Sequence, residues 1–239
     1  MAFDNDQTAL RTGARASAAT IDMGLRAHML KVYNYMASAL ALTGAVAMMT
    51  ANSETMLNTI FGTPLSWVVM LAPFAFILAL SFGIHKMSTT TAQAVFWAFA
   101  FVMGLSMASI FVIYTGTSIA RVFFITAGMF GGMSLYGYTT KRDLSGFGSF
   151  LMMGLIGLII AMVVNIFLQS SALHFVISAA GVLIFVGLTA YDTQKIKSIY
   201  SEADGSDTAT KKAIMGALTL YLDFINLFLM LLRLFGERR

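Results

Sequence analysis

Apolar residues run in seven long blocks along the chain, at 29–50, 65–84, 92–114, 119–138, 150–168, 175–194 and 214–235. Each block is close to the roughly 20 residues that a helix needs to cross a hydrocarbon core of about 30 Å, at about 1.5 Å of rise per residue. The blocks are continuous rather than alternating, which argues against the roughly ten-residue strands of an outer-membrane barrel. Short connections between most of them predict antiparallel neighbours. The pattern therefore predicts an all-α integral membrane protein with seven transmembrane helices. Small residues inside the blocks, among them Gly128, Gly131, Gly132, Gly154 and Gly157, are read as points where helices approach closely.

Residues 1–27 stand apart as a polar tail in which Arg11, Arg15 and Arg26 are balanced by Asp4, Asp6 and Asp22. They divide the chain into this tail and a membrane domain at 28–239. The first block exceeds the 7–15 apolar residues of a secretory signal, and the tail before it is long, so it reads as a retained span. Composition agrees: 58% of the residues are hydrophobic and 11% are charged, where a soluble domain carries about a quarter charged residues. Without cysteine there is no disulfide, thiol nucleophile or thiolate metal site. His28, His85 and His174 share no ligand spacing. No cofactor and no nucleic-acid partner is expected.

The distribution of charge sets a direction. Arg11, Arg15, Arg26, Lys31, Lys86, Lys141, Arg142, Lys195, Lys197, Lys211 and Lys212 all fall on one side of the spans. Arg121, Arg233, Arg238 and Arg239 fall on the other. The positive-inside rule then expects a cytoplasmic N-terminus and, after seven crossings, a C-terminus outside.

Among eleven acidic residues, two sit inside spans: Asp192 near the end of the sixth and Asp223 within the seventh. An ionised Asp at mid-span costs about 2.5–3.5 kcal/mol on insertion scales, so an intramembrane pair is a functional hypothesis by default. At about 100° per residue, Thr219, Asp223, Asn226 and Met230 share a face of the seventh span, and Ser178, Gly181, Phe185 and Asp192 share a face of the sixth. Two carboxylates in a poor dielectric cannot both ionise easily. Holding one proton they form a clasp; without it they repel and offer hard oxygen ligands suited to Ca²⁺. Such a dyad senses pH and gates a cation path. The competing structural reading is a hydrogen-bonded Asp that only pins two helices. Depth leaves the pairing open, since Asp223 lies roughly 14 Å from its boundary but Asp192 only about 5 Å if its helix ends at Lys195.

At these residues the sequence resembles the Bax inhibitor family, also called the transmembrane Bax inhibitor motif family, in its bacterial YccA-like branch. The resemblance rests first on Leu220-Tyr221-Leu222-Asp223-Phe224-Ile225-Asn226-Leu227-Phe228 with Leu231-Leu232-Arg233-Leu234-Phe235-Gly236. Tyr191-Asp192-Thr193-Gln194-Lys195-Ile196 and Lys141-Arg142-Asp143-Leu144-Ser145 add to it. It covers everything after the tail. The resemblance implies two three-helix layers around a central last helix, and a pH-sensitive passive Ca²⁺ leak of the bacterial plasma (inner) membrane. In that reading Asp192 and Asp223 are the proton-sensing and cation-binding pair, with Ca²⁺ and protons as partners besides the bilayer. Asn226 is a supporting candidate. Some family members place an arginine at the end of span two; here Gly83-Ile84-His85-Lys86 offers His85 or Lys86 as the basic partner, or as interface anchors.

Other classes fit less well, and no enzymatic activity is expected. Aspartyl intramembrane proteases need Gly-x-Gly before their second Asp, whereas Leu220, Tyr221 and Leu222 precede Asp223. Ser134 lacks the glycine that would follow a serine protease nucleophile. The acidic loop 201–212 lacks the EF-hand pattern. The alternative function is regulation of a membrane-bound AAA protease, or of membrane-protein homeostasis, without transport; in it the tail 1–27 is the segment gripped.

Overall fold

The computed structural model describes the backbone of residues 2–239 and the side chains of residues 23–239. The described residues form eight helices: α1 (Ala2–Ala51), α2 (Glu54–Phe61), α3 (Leu65–Gly83), α4 (Thr89–Ile113), α5 (Gly116–Thr139), α6 (Ser145–Leu168), α7 (Ser171–Ser198) and α8 (Ser206–Phe235). Seven are long and apolar enough to cross a membrane, α1 through its segment Met23–Ala51. The exception, α2, is a short helix in the connection after α1. Its start is capped by Ser53, whose hydroxyl accepts from the Met56 N–H at 3.3 Å. The tail side chains up to residue 22, on which the protease-regulator reading rests, lie outside the described residues.

Two groups of three helices enclose the last one. In the first, α4 packs against both α1 and α3; in the second, α7 packs against both α5 and α6. Helix α8 lies between them and touches α1, α4, α5 and α7. Within its most apolar stretch 72% of the residues are buried, against 39% or less in every other span. This is the layered arrangement that the family resemblance implied. The outer faces carry Phe74, Phe82, Phe124 and Phe167, all exposed, as expected where the surroundings are lipid tails rather than water.

Of the five glycines that the apolar pattern suggested, Gly154 alone makes a close approach, its Cβ position lying 3.3 Å from Ile184 of α7. A Cβ at Gly128, Gly131, Gly132 or Gly157 would meet nothing within 4 Å, so these residues face open space. Closer approach occurs at Gly104, where a Cβ would lie 2.8 Å from the Thr43 carbonyl, at Gly137 against the Ala190 carbonyl, and at Gly148 against the Tyr191 ring. Sequence shows a small residue but not which face of its helix meets a neighbour.

The ends of the last two spans also differ from expectation. Helix α7 continues past Lys195 to Ser198, and α8 begins at Ser206, so most of the acidic stretch read as a loop at 201–212 is helix. The first turns of α8, from Ser206 to Lys212, are polar. They are tied down by Lys212, whose Nζ donates to the Ile199 carbonyl at 2.9 Å and pairs with Asp204 Oδ2 at 2.5 Å. At the opposite end the residues after α8 fold back on the α4–α5 turn. Thr115 N–H donates to the Glu237 carbonyl, Glu237 N–H donates to Ser118 Oγ, and Arg121 pairs with Glu237 at 3.2 Å.

Candidate functional site

Two contacts set the antiparallel register of α7 and α8. The Cβ position of Gly216 lies 3.0 Å from Ile196, and that of Gly181 lies 2.8 Å from Met230. In this register Asp192 and Asp223 are offset by about 5 Å along the common axis at about 1.5 Å per residue. Two carboxyl side chains reaching toward one another close that gap. The carboxyl groups stand within hydrogen-bonding range of each other. Asp223 is 5% exposed, and among the described residues its Oδ2 has no hydrogen-bond partner. Both groups are acceptors when ionised, so only a proton or a cation between them makes the contact attractive.

Asp223 is aimed by its neighbours on α8. Tyr221, two residues earlier and so about 200° around the helix, is fully buried on the other side. Thr43 Oγ donates to the Ala100 carbonyl at 2.8 Å, which leaves the Tyr221 hydroxyl to donate to Thr43 at 2.7 Å. The Phe99 ring packs edge-on to Tyr221 at 5.1 Å. With Tyr221 bound to α1 and α4, Asp223 is turned toward α7.

Asp192 is aimed by an unbroken row of contacts. The carbonyl of Ala190 abuts Gly137, and the Tyr191 ring lies on Gly148. Thr193 Oγ meets Ser134 Oγ at 3.1 Å. The Gln194 amide accepts from Leu144 N–H at 2.9 Å and donates to the Arg142 carbonyl at 2.8 Å. Every neighbour of Asp192 from 190 to 194 is therefore held by α5, α6 or the turn between them, which leaves Asp192 to face α8.

The other sequence candidates lie elsewhere. His85 and Lys86 are exposed in the turn after α3, and the positive charge acting on Asp192 is Lys195, one turn along α7. Lys195 Nζ sits 5.9 Å from the centre of the Tyr191 ring. Asn226 spends a donor on the Leu222 carbonyl at 2.8 Å. Thr219 and Ser178 also bond back to their own helices, to Met215 and His174. The polar stripes thus satisfy themselves rather than line a hydrophilic path. Among the described residues no three His, Cys, Asp or Glu side chains come together.

A sequence-family profile described as "Inhibitor of apoptosis-promoting Bax1" matches residues 25–239. The chain belongs to the Bax inhibitor family. It is 53% identical over 220 residues to the Rickettsia prowazekii protein RP147, covering 92% of this chain and 93% of the relative. It is 50% identical over 219 residues to the Escherichia coli inner membrane protein YbhL, covering 90% and 94%. The Lactococcus lactis protein YrjE is 38% identical over 216 residues, covering 89% and 92%.

In this Bax inhibitor family protein the three resembling segments meet at one place. The segment at 141–145 is clasped by Gln194 from the segment at 191–196, and the latter presents Asp192 to the segment at 220–228. Gln194 and Lys195 were visible in the sequence as motif letters without a role. Thr43 and Ser134 carried no signal, because their partners, Tyr221 and Thr193, are 178 and 59 residues away.

Proposed function

We infer that this protein is a pH-sensitive passive Ca²⁺ leak of the bacterial inner membrane, gated by Asp192 and Asp223. The observation that carries the reading is the buried Asp223 carboxyl, whose Oδ2 has no hydrogen-bond partner among the described residues and which faces a second carboxyl across α7 and α8. A proton held between the two closes the α7–α8 contact. Loss of that proton at higher pH makes the two carboxylates repel, which loosens the contact and exposes two hard oxygen ligands. Calcium takes six to eight oxygens, so two carboxylates completed by water bind it weakly, as transit requires. Lys195, beside Asp192, opposes cation occupancy and stands at the basic end of the bundle, which faces the cytoplasm in this reading. The similarity to YbhL, an inner membrane protein, supports the inner membrane as the location.

The test is purified protein in liposomes loaded with a Ca²⁺ dye, with an imposed gradient and no nucleotide. Influx above that of empty liposomes should rise from about pH 5 to pH 8, a range that brackets shifted Asp titration. Influx equal to empty liposomes throughout refutes the reading.

A further inference from the structure

An apolar groove of about 520 Å³ opens sideways between α1 and α5 in the half of the bundle that carries the basic end. Helices α1 and α5 each rest on α8. Their separation leaves Met36, Phe130 and Ser134 as the floor, while Gly131 contributes no side chain to the opening. Along α1 the groove runs from Arg26 to Met36, about 15 Å at about 1.5 Å per residue. That length is half of a hydrocarbon core of about 30 Å, the depth of one leaflet. Its wall is almost wholly apolar, so water gains no partners there. At the mouth stand the exposed Arg26 and the ring of Tyr138, and Lys197 Nζ lies 5.1 Å from the centre of the Tyr138 ring. Aromatic rings with Lys or Arg beside them are the side chains found at headgroup level.

We propose that this groove holds one acyl chain of an anionic phospholipid, with the lipid phosphate at Arg26. Length, apolar wall and a cation at headgroup depth fit a lipid from the basic-side leaflet, where anionic headgroups attract such residues. The occupant would press on Ser134, whose hydroxyl meets Thr193 next to Asp192, so the groove floor is also part of the scaffold of the aspartate pair. The binding claim itself does not depend on Ca²⁺ conduction.

The test is native mass spectrometry of delipidated full-length protein titrated with dioleoyl phosphatidylglycerol or dioleoyl phosphatidylcholine. Wild type should retain one phosphatidylglycerol about fivefold more tightly than phosphatidylcholine, the increment of one Lys or Arg near a charged surface. Gly131→Leu should fill the groove without a clash and remove that lipid. Gly132→Leu, on the same helix with equal open space but outside the groove, should retain it. Arg26→Gln should abolish the preference between the lipids, which keeps the proposal testable if Gly131→Leu folds poorly. Equal lipid retention by the two glycine variants, no preference in wild type, or a dimer that Gly131→Leu dissociates would each overturn the proposal.

Discussion

Replacing Asp223 by Asn, alone and together with Asp192→Asn, separates a coupled sensor from two helices merely pinned together. Asn keeps the shape of Asp223 but carries no charge, and its amide supplies the donor that Oδ2 lacks among the described groups. Two charges about 4 Å apart interact by about 4 kcal/mol at the effective dielectric of 20 suited to protein sites. Sites that act independently add to within about 0.5 kcal/mol. A double-mutant cycle on melting at about pH 8, the upper end of the range that brackets shifted Asp titration, where the shared proton is lost, should therefore show a coupling of several kcal/mol. Asp223→Asn should be no less stable than wild type, because it removes a buried repulsion and leaves the Asp192 carboxylate a donor. Flux from Asp223→Asn should be flat between about pH 5 and 8, and adding Asp192→Asn should change it little further. The assays are thermal unfolding in detergent and dye-loaded liposomes on the same preparations. Additive stabilities, with wild-type pH dependence in both single variants, would refute the reading. A lowered melting temperature with an unchanged pH profile would identify the pair as a structural pin.

Four further outcomes follow from the surroundings of the pair. Gln194→Ala removes two hydrogen bonds to the α5–α6 turn and should cost about 1–3 kcal/mol while altering the pH profile of flux, since Asp192 loses its support; an unchanged profile would show that the clasp does not position Asp192. Tyr221→Phe removes one donor to Thr43 and should lower stability by about 1 kcal/mol, read by chemical or thermal unfolding. The Ser145 hydroxyl and backbone N–H hold the exposed Asp143 carboxyl below its usual range. Its contribution is therefore complete above the ordinary carboxylate value of about 3.9 and lost as pH falls through the lower folded value; the melting difference between wild type and Asp143→Asn should vanish on strong acidification. A C-terminal alkaline phosphatase fusion should be active and a fluorescent protein fusion dark, and the reverse pair of results would invert the orientation read from Lys and Arg.

Sequence alone determined that the chain spans a membrane seven times, because the length and polarity of a span are sums over consecutive residues and need no partner. It also singled out Asp192 and Asp223, since a carboxylate within an apolar run is costly wherever the run packs. Tertiary structure decided everything that depends on two segments meeting. The polar first turns of α8 become helix from Ser206 because Lys212 anchors them to Ile199 and Asp204, a contact that hydropathy cannot register. Lys195 rather than His85 or Lys86 stands beside Asp192, because His85 and Lys86 are both exposed in the turn after α3. Asn226, Thr219 and Ser178 lie on the predicted faces yet spend their hydrogen bonds on their own helices. The glycines at 128, 131, 132 and 157 face outward, while Gly137 and Gly148 carry the close approaches. Helical periodicity places residues on a common face, but the choice of which face meets which neighbour belongs to the contacts of α8 with both three-helix groups. Those contacts join residues far apart in the chain, and that long-range register is what brings the two carboxyl groups together.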